Sequence, residues 1–168
     1  MPRRVSLTRA TILDLLGLYS GILTELCERG VLRSVNNPAA DYAEYLVAEA
    51  LHLTSAPKST KGYDAIGQDG KRYEIKARRL TRRSHPTRFS AIRKLEENHF
   101  DFLVAVLFDE NFLVQRALVL PREHVTRQAF WQAHVNGWIL PISDDFWETQ
   151  AAQDITDQLK KLQKATAA

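Results

Sequence analysis

The chain has 168 residues, of which 45% are hydrophobic and 26% are charged, and its formal net charge is +3. These values are ordinary for a globular protein, and they predict one domain that spans residues 1–168. Such a weak positive charge identifies no partner, and the single cysteine, Cys27, excludes an internal disulfide and a cysteine-rich zinc site. No apolar run reaches the roughly 18–20 residues of a membrane span, so we expect a cytoplasmic protein without membrane contact.

The first predicted element is an amphipathic helix over about residues 7–29. Apolar residues recur along it at helical spacing from Ile12 to Leu26, and Gly30 follows as a stop signal. Two uses of this apolar stripe stay open. It packs against its own domain, which is the commoner arrangement, or it is the surface through which the chain forms a homodimer.

A second helix is predicted to begin beside Asn36 or Asn37, because asparagine is a favourable N-cap and Pro38 suits the first turn. Its apolar residues share one face, and Glu44 lies at the edge of that face. The members of the face are Ala43, Leu46, Val47, Ala50 and Leu51.

The rest of the chain has the pattern of short strands that alternate with helices. The run at 102–108 is apolar throughout, which is typical of a central strand buried on both faces. The order of the elements predicts an α/β fold with a small mixed β-sheet flanked by helices. We predict strands at 63–66, 72–77, 102–108 and 112–120, and helices near 90–99, from Pro121 to about Gly137, and from Ser143 onward.

The hairpin between the first two strands carries a set of charged residues. A three-residue turn centred on Asp69 places Asp64 directly opposite Glu74, on the same face of the sheet. Lys76 lies two positions further along and points to that face as well. A two-residue turn would instead pair Asp64 with Ile75 and scatter the charges, so the prediction depends on the first register.

This arrangement suits metal-dependent hydrolysis of a phosphodiester. Opposed carboxylates whose β-carbons are roughly 4.5–5.5 Å apart repel each other without a cation and can share one Mg²⁺. The cation would polarise the phosphate and lower the pKa of a bound water, while Lys76 orients that water or stabilises the developing charge. Glu44 supplies a further carboxylate from the second helix or lies on a solvated helix surface, and the spacing favours neither.

An ordinary charged hairpin, with its alternate side chains in water, is the simpler interpretation, and spacing alone favours it. Three features favour a catalytic site instead. Asp64 sits among apolar neighbours, an apolar Ile75 separates Glu74 from Lys76, and a strongly basic segment follows.

The order of these residues resembles the signature of the PD-(D/E)xK nuclease superfamily, which includes type II restriction endonucleases and DNA repair and recombination nucleases. The resemblance covers about residues 38–80. The helix glutamate is Glu44 in DYAEYLVAEAL, the strand aspartate is Asp64 in KGYDAIG, and the last motif is Glu74-Ile75-Lys76 in RYEIKARR.

The resemblance implies a restriction-endonuclease-like fold and a site for Mg²⁺, or Mn²⁺ in its place. Its metal ligands are Asp64, Glu74 and Glu44, and these residues together with Lys76 are the implied catalytic group. Tyr63 stands where the named signature has proline, a position at which proline is often absent in the superfamily.

Basic residues cluster directly after the last motif. From Lys71 to Lys94 there are ten lysines and arginines against one acid, Glu74. Such a stripe beside a carboxylate pair suits the phosphate backbone of double-stranded DNA, although a solvated loop is the alternative. His85 contacts DNA or is a plain loop histidine. The residues we expect to contact DNA are Lys58, Lys61, Arg78, Arg79, Arg82, Arg83, His85 and Arg88.

The sequence therefore predicts a metal-dependent endodeoxyribonuclease of the type II restriction class, with two active sites supplied by a homodimer. A repair or recombination nuclease of the same fold is the nearest alternative. A DNA-binding subunit without catalysis and a protein-interaction module with an incidental charged hairpin are the alternatives from other functional classes.

Overall fold

The computed structural model describes residues 7–58 and 60–166. Within these ranges the chain is an α/β structure with five α-helices, a mixed six-stranded sheet and a separate two-stranded hairpin. The helices are α1 (Ile12–Glu28), α2 (Pro38–Leu51), α3 (Arg122–Gln128), α4 (Asp144–Trp147) and α5 (Thr156–Thr166). The strands are β1 (Thr54–Ser55), β2 (Ala65–Ile66), β3 (Arg72–Arg79), β4 (Phe102–Phe108), β5 (Val114–Pro121), β6 (Phe130–Gln132), β7 (Gly137–Ile139) and β8 (Gln153–Asp154).

Helix α2 begins and ends close to its predicted limits. The side chain of Asn37 accepts a hydrogen bond from the amide of Ala39, and Pro38 is the first helical residue. The first feature satisfies one free amide of the first turn, and proline contributes no amide that needs a partner. His52 ends the helix in the left-handed conformation.

The six-stranded sheet has the order β1-β2-β3-β4-β5-β8, and β3 and β4 pair in parallel while their outer neighbours pair antiparallel. Strand β4 lies inside the sheet, and its residues from Leu103 to Phe108 are buried, as its unbroken apolar run predicts. The β4–β5 hairpin was also predicted and is confirmed.

Each face of the sheet is covered by a different layer. Helices α2 and α5 cover one face, where Ile75 of β3 packs beside Val104 and Val106 of β4. The opposite face is covered by the segment 87–100, α3, β7 and α4. Because side chains alternate along β3, Glu74 and Lys76 lie on this second face.

The predicted helix near 90–99 is wrong. Residues 87–92 instead run antiparallel to 138–142, with Ile92 and Trp138 exchanging two backbone hydrogen bonds of 2.8 Å. Only a single 3₁₀ turn, Leu95–Glu97, remains. Buried residues Phe89, Ile92 and Leu95 recur every three positions and imitate a helical pattern, but pairing with a neighbouring segment decides the local structure.

Two predicted helices near the C-terminal end are also shorter than expected. The helix that follows Pro121 ends at Gln128, and β6 and β7 form a hairpin where the helix was predicted to continue. Gly137 lies in β7, where an added Cβ would stand 2.9 Å from the Cβ of Ala91. Ser143 does cap a helix, yet α4 has four residues and β8 separates it from α5.

Helix α1 forms as predicted, but most of its apolar stripe packs against nothing in the same chain. Thr11 and Asp14 form a capping box at its start. Of its described residues, Leu23 alone is buried, whereas Ile12 is 77% exposed and Tyr19 is 54% exposed. The interpretation in which the stripe packs within its own domain is therefore wrong for most of its length. In the described ranges, no helix has the combination of length and apolar character that crossing a bilayer requires.

Candidate active site

The hairpin between β2 and β3 has the register on which the predicted site depends. The amide of Gly67 donates to the carbonyl of Lys71 over 2.8 Å, and Ala65 pairs with Tyr73. The three-residue turn is thus confirmed, and the alternative register, which would pair Asp64 with Ile75, is excluded.

Asp64 itself lies just outside the regular ladder, in a bend that precedes β2. Its amide donates to the carbonyl of Tyr73 over 2.8 Å, so the one-to-one pairing of the strands ends at Ala65. The expectation that Asp64 is a strand residue directly opposite Glu74 is corrected here. Its carboxylate still reaches β3, because its Oδ2 atom accepts a 2.7 Å hydrogen bond from the amide of Ile75.

The chain enters this bend through Gly62, which has a φ of +89°. An added Cβ at this glycine would stand 2.2 Å from the Cβ of His99, a distance that requires the backbone to move. The close approach of the two segments fixes the path of the chain two residues before Asp64. Glycine is the residue that allows both the positive φ and the contact.

Glu74 and Lys76 form an ion pair on the covered face of β3. The Nζ atom of Lys76 bonds the Oε1 atom of Glu74, and their side chains are only 16% and 11% exposed, respectively. In the described part of the chain, Glu74 is the one buried residue that is polar or charged. A buried carboxylate requires a positive partner, and Lys76 provides it.

Glu44 reaches the same region from the middle of α2. Its Oε2 atom accepts a hydrogen bond of 3.2 Å from Nη1 of Arg33, and its side chain is 18% exposed. The interpretation of Glu44 as a solvated surface residue is therefore wrong.

Arg33 connects the parts of the site, and the sequence did not point to it. Its Nη2 donates over 2.8 Å to the carbonyl of Ala56, and the amide of Ala56 donates over 2.8 Å to the carbonyl of Asp64. Asp41 fixes the backbone at Arg33 by accepting from its amide at 2.8 Å. Asp41 and Glu44 are three residues apart on α2, a spacing that puts them on one side of a helix and is the signal that would have indicated this network.

Burial and neighbouring negative charges raise the pKa values of two of the carboxylates, Glu44 and Asp64. Burial, followed by the negative charge of Asp64, raises the pKa of Glu44 to about 7. Burial, followed by the charge of Glu74, raises the pKa of Asp64 to about 6, although Lys76 and the Ile75 amide oppose the shift. Asp64 thus lies near enough to Glu44, and Glu74 near enough to Asp64, for the charge of each to act on its neighbour.

The donor set fits a hard divalent cation, since clustered carboxylates are the ligands that Mg²⁺ and Mn²⁺ prefer. Asp64, Glu74 and Glu44 would hold it, and the cation would offset the burial and the repulsion that raise the two pKa values. Across residues 7–58 and 60–166, no three His, Cys, Asp or Glu side chains already stand as a metal-binding group. Protein donors occupy one oxygen of each carboxylate: the Lys76 ammonium, the Ile75 amide and the Arg33 guanidinium.

Several of the predicted DNA-contacting residues line one groove of about 1760 Å³, which includes Ala77, Arg78 and Arg79 at the end of β3. The groove does not include the predicted catalytic side chains themselves, but Lys76 directly precedes Ala77 on β3. Its basic lining residues are Arg29, Arg78, Arg79, His85 and Arg88.

The arginines of this groove contact different neighbours. Arg78 and Arg88 stand together because Nε of Arg78 donates over 2.9 Å to the carbonyl of Arg88. Arg79 lies on the other face of β3, with its guanidinium 4.5 Å from the ring centre of Phe112. The basic stripe predicted from the sequence is thus divided between two faces of one strand.

The remaining predicted DNA contacts lie on exposed loops. Lys58 and Lys61 occupy the loop that leads to Asp64, and Arg82 and Arg83 form the tip of the turn between Thr81 and Ser84. Arg82 also pairs with Glu110 at 3.4 Å.

Comparison with models of known protein families and with curated proteins finds no match for this chain.

Proposed function

We propose that this protein is a divalent-metal-dependent endodeoxyribonuclease of the type II restriction class, with a restriction-endonuclease-like fold. One observation carries the proposal. Glu44 from α2, Asp64 from the bend before β2, and Glu74 with Lys76 from β3 are all sparsely exposed, and the charge of Asp64 acts on Glu44 while that of Glu74 acts on Asp64. A cluster of this kind has an electrostatic cost that a structural role does not explain, whereas metal binding does.

In this proposal Asp64 and Glu74 hold Mg²⁺ or Mn²⁺, and Glu44 completes the protein's share of the ligands. When bound there, the cation supplies the Lewis acidity that polarises a phosphate. The hydrogen bond from the Ile75 amide fixes the orientation of the Asp64 carboxylate. Arg33 orients Glu44 in the same manner.

Lys76 has the role of a positive charge at the reacting phosphate. In the ground state its ammonium group neutralises Glu74. A cation on Glu74 would take over that neutralisation, and Lys76 would then orient the attacking water or stabilise the charge that develops on the phosphoryl oxygens. Its low exposure strengthens either interaction, because water competes less for the ammonium group.

Double-stranded DNA is the proposed substrate because exposed basic residues precede and follow the catalytic residues along the chain. Lys58 and Lys61 lie on the exposed loop before Asp64, and Arg78 and Arg88 line the groove at the end of β3. Contacts of this type bind the phosphate backbone and set the position of the duplex without reading its sequence.

Metal-dependent cleavage of supercoiled plasmid is the test of this function. We expect nicked and linear DNA with Mg²⁺ or Mn²⁺, and intact plasmid when a chelator is present. The absence of cleavage by folded protein with either metal, across a set of plasmids that vary in sequence, would contradict the proposal.

A DNA-binding subunit without catalysis is the second candidate. The ion pair between Glu74 and Lys76 favours it, because the pair neutralises both groups without a metal. This candidate predicts salt-dependent DNA binding that neither metal nor chelator changes, together with no cleavage. Titration calorimetry with Mn²⁺ separates the two candidates, since only the nuclease requires a metal site that is lost in Asp64→Asn.

A further inference from the structure

Helix α1 exposes a long apolar face that nothing in its own chain covers. Ile12, Leu16, Tyr19 and Ile22 are each more than half exposed, and only Leu23, further along the same helix, is buried. A monomeric protein seldom exposes an apolar area of this size, because each exposed side chain forfeits burial free energy.

Most of the exposed apolar residues of α1 form one stripe, and Leu13 and Leu18 lie outside it. Ile12, Leu16, Tyr19, Leu23 and Leu26 recur at intervals of three or four, which places them on one side of α1. The opposite side is polar or lacks side chains. It consists of Asp14, Gly17, Gly21, Thr24, Glu25 and Glu28.

We propose that a second copy of this chain covers the stripe, so that the protein is a homodimer in which two α1 helices pack face to face. A stripe that is complementary to itself is what a two-fold symmetric contact requires. Tyr19 stands midway between Ile12 and Leu26, so it lies near the symmetry axis whether the two helices run parallel or antiparallel. The apolar spacing is also that of helices which pack against each other in pairs.

The exposed area matches the requirement of a stable dimer. Five large apolar side chains of the stripe, from Ile12 to Ile22, are exposed by 38% to 77%. They present roughly 600 Å² of surface, which is the share of one partner at the lower end of specific, stable interfaces. The stripe is therefore large enough to form an interface of this smaller size.

Nucleic acid is a poor match for the same surface. The wall of the groove formed by α1 consists largely of Tyr19, Ile22, Leu23 and Leu26, which offer a phosphate backbone neither charge nor hydrogen-bond donors apart from one phenol. Three of the basic residues, Arg78, Arg79 and Arg88, belong to other elements of the groove, whereas Arg29 lies only at the very end of α1. The two walls therefore suit different occupants, and the second copy belongs on the α1 side.

Sedimentation equilibrium tests the proposal directly and does not depend on nuclease activity. We expect the wild-type chain to have twice the monomer mass of 19.2 kDa, and Leu16→Glu and Ile12→Glu to have the monomer mass with unchanged circular dichroism. Gly21→Glu is the matched control, because it adds the same charge on the polar side, where nothing lies within 4 Å of an added Cβ. It should remain a dimer. A wild-type chain that is monomeric at micromolar concentration, or a dimer that both stripe variants leave intact, would overturn the proposal.

Cross-linking supplies a second, independent measurement. In a Cys27→Ser background, Tyr19→Cys should form a covalent dimer on oxidation because the two copies of this position meet near the axis. Gly21→Cys in the same background should not, since it faces away from the partner. Equal cross-linking of the two variants would show that α1 is not the interface.

Discussion

The Oδ2 atom of Asp64 accepts a hydrogen bond of 2.7 Å from the backbone amide of Ile75. This amide belongs to the residue between Glu74 and Lys76, so the bond holds a carboxylate from a bend against the part of β3 that carries the other two charges. The backbone of β3 thereby sets the spacing of all three groups. The side chain of Asp64 accepts this hydrogen bond at a position where the regular backbone pairing of β2 and β3 has ended.

We predict that substitutions at Asp64 separate its structural role from its charge. Asp64→Asn keeps an oxygen for the Ile75 amide and removes the repulsion with Glu74, so metal-free protein should be at least as stable as wild type. Asp64→Ala leaves a shielded amide unpaired and should lose about 1–3 kcal/mol of unfolding free energy. Urea denaturation measures both values. Equal stability of the two variants would show that the hydrogen bond contributes nothing.

The raised pKa of Glu44 predicts a pH dependence of stability. Its folded-state pKa of about 7 lies above the ordinary value of 4.5, so the folded protein binds the proton more tightly than the unfolded chain. This contribution to stability is complete below pH 4.5 and is lost as the pH rises towards 7. Glu44→Gln should therefore gain about 1–3 kcal/mol relative to wild type between these limits. A difference that does not change with pH would contradict the prediction, which denaturation of metal-free protein at several pH values can test.

The contact between Gly62 and His99 predicts a sensitive position before the site. Gly62→Ala should destabilise the fold by more than 2 kcal/mol, as a rough minimum, because it combines an unfavourable φ with a steric clash. Gly70→Ala is the matched control, since its φ of +80° carries the same strain and nothing lies within 4 Å of the added Cβ. Thermal denaturation compares the two. Equal losses would indicate that the loop at His99 moves aside freely.

Removal of one arginine from the exposed loop and one from the groove should weaken DNA binding without changing the fold. Arg83→Gln and Arg88→Gln remove exposed charges, and each should lower the slope of log affinity against log salt by about 0.9 if it contacts one phosphate. Lys161→Gln, on the exposed side of α5, removes the same charge and should leave the slope unchanged. Fluorescence anisotropy with a labelled duplex measures the slopes. A loss of equal size in all three variants would mean that net charge alone attracts the DNA.

The parts of the fold that could be predicted from the sequence are those in which local signals and tertiary packing agree. Asn37 and Pro38 marked the start of α2, and the turn around Asp69 fixed the register of β2 and β3. The segment from Phe89 to Leu95 was mistaken for a helix because its buried residues recur every three positions, while its hydrogen-bond partners, Trp138 and Leu140, lie far away in the sequence. Pairing between segments so far apart gives no signal in the local sequence.

The candidate site shows the same limit. Asp64, Glu74 and Lys76 are close in sequence, so hairpin geometry was sufficient to predict their meeting. Arg33 was missed because its importance arises from a contact with Glu44 and another with Ala56, which different elements supply. No spacing rule joins a loop before α2 to the end of β1.

Cleavage by variants that preserve shape tests the central claim most directly. Initial rates on supercoiled plasmid with Mg²⁺ would be compared for wild type, Asp64→Asn, Glu74→Gln and Lys76→Met, with the exposed Glu49→Gln of α2 as the control. We predict a loss on the order of 100-fold or more in each of the three site variants and a wild-type rate in the control. Wild-type rates in the site variants would contradict the account, because the cutting would then occur elsewhere.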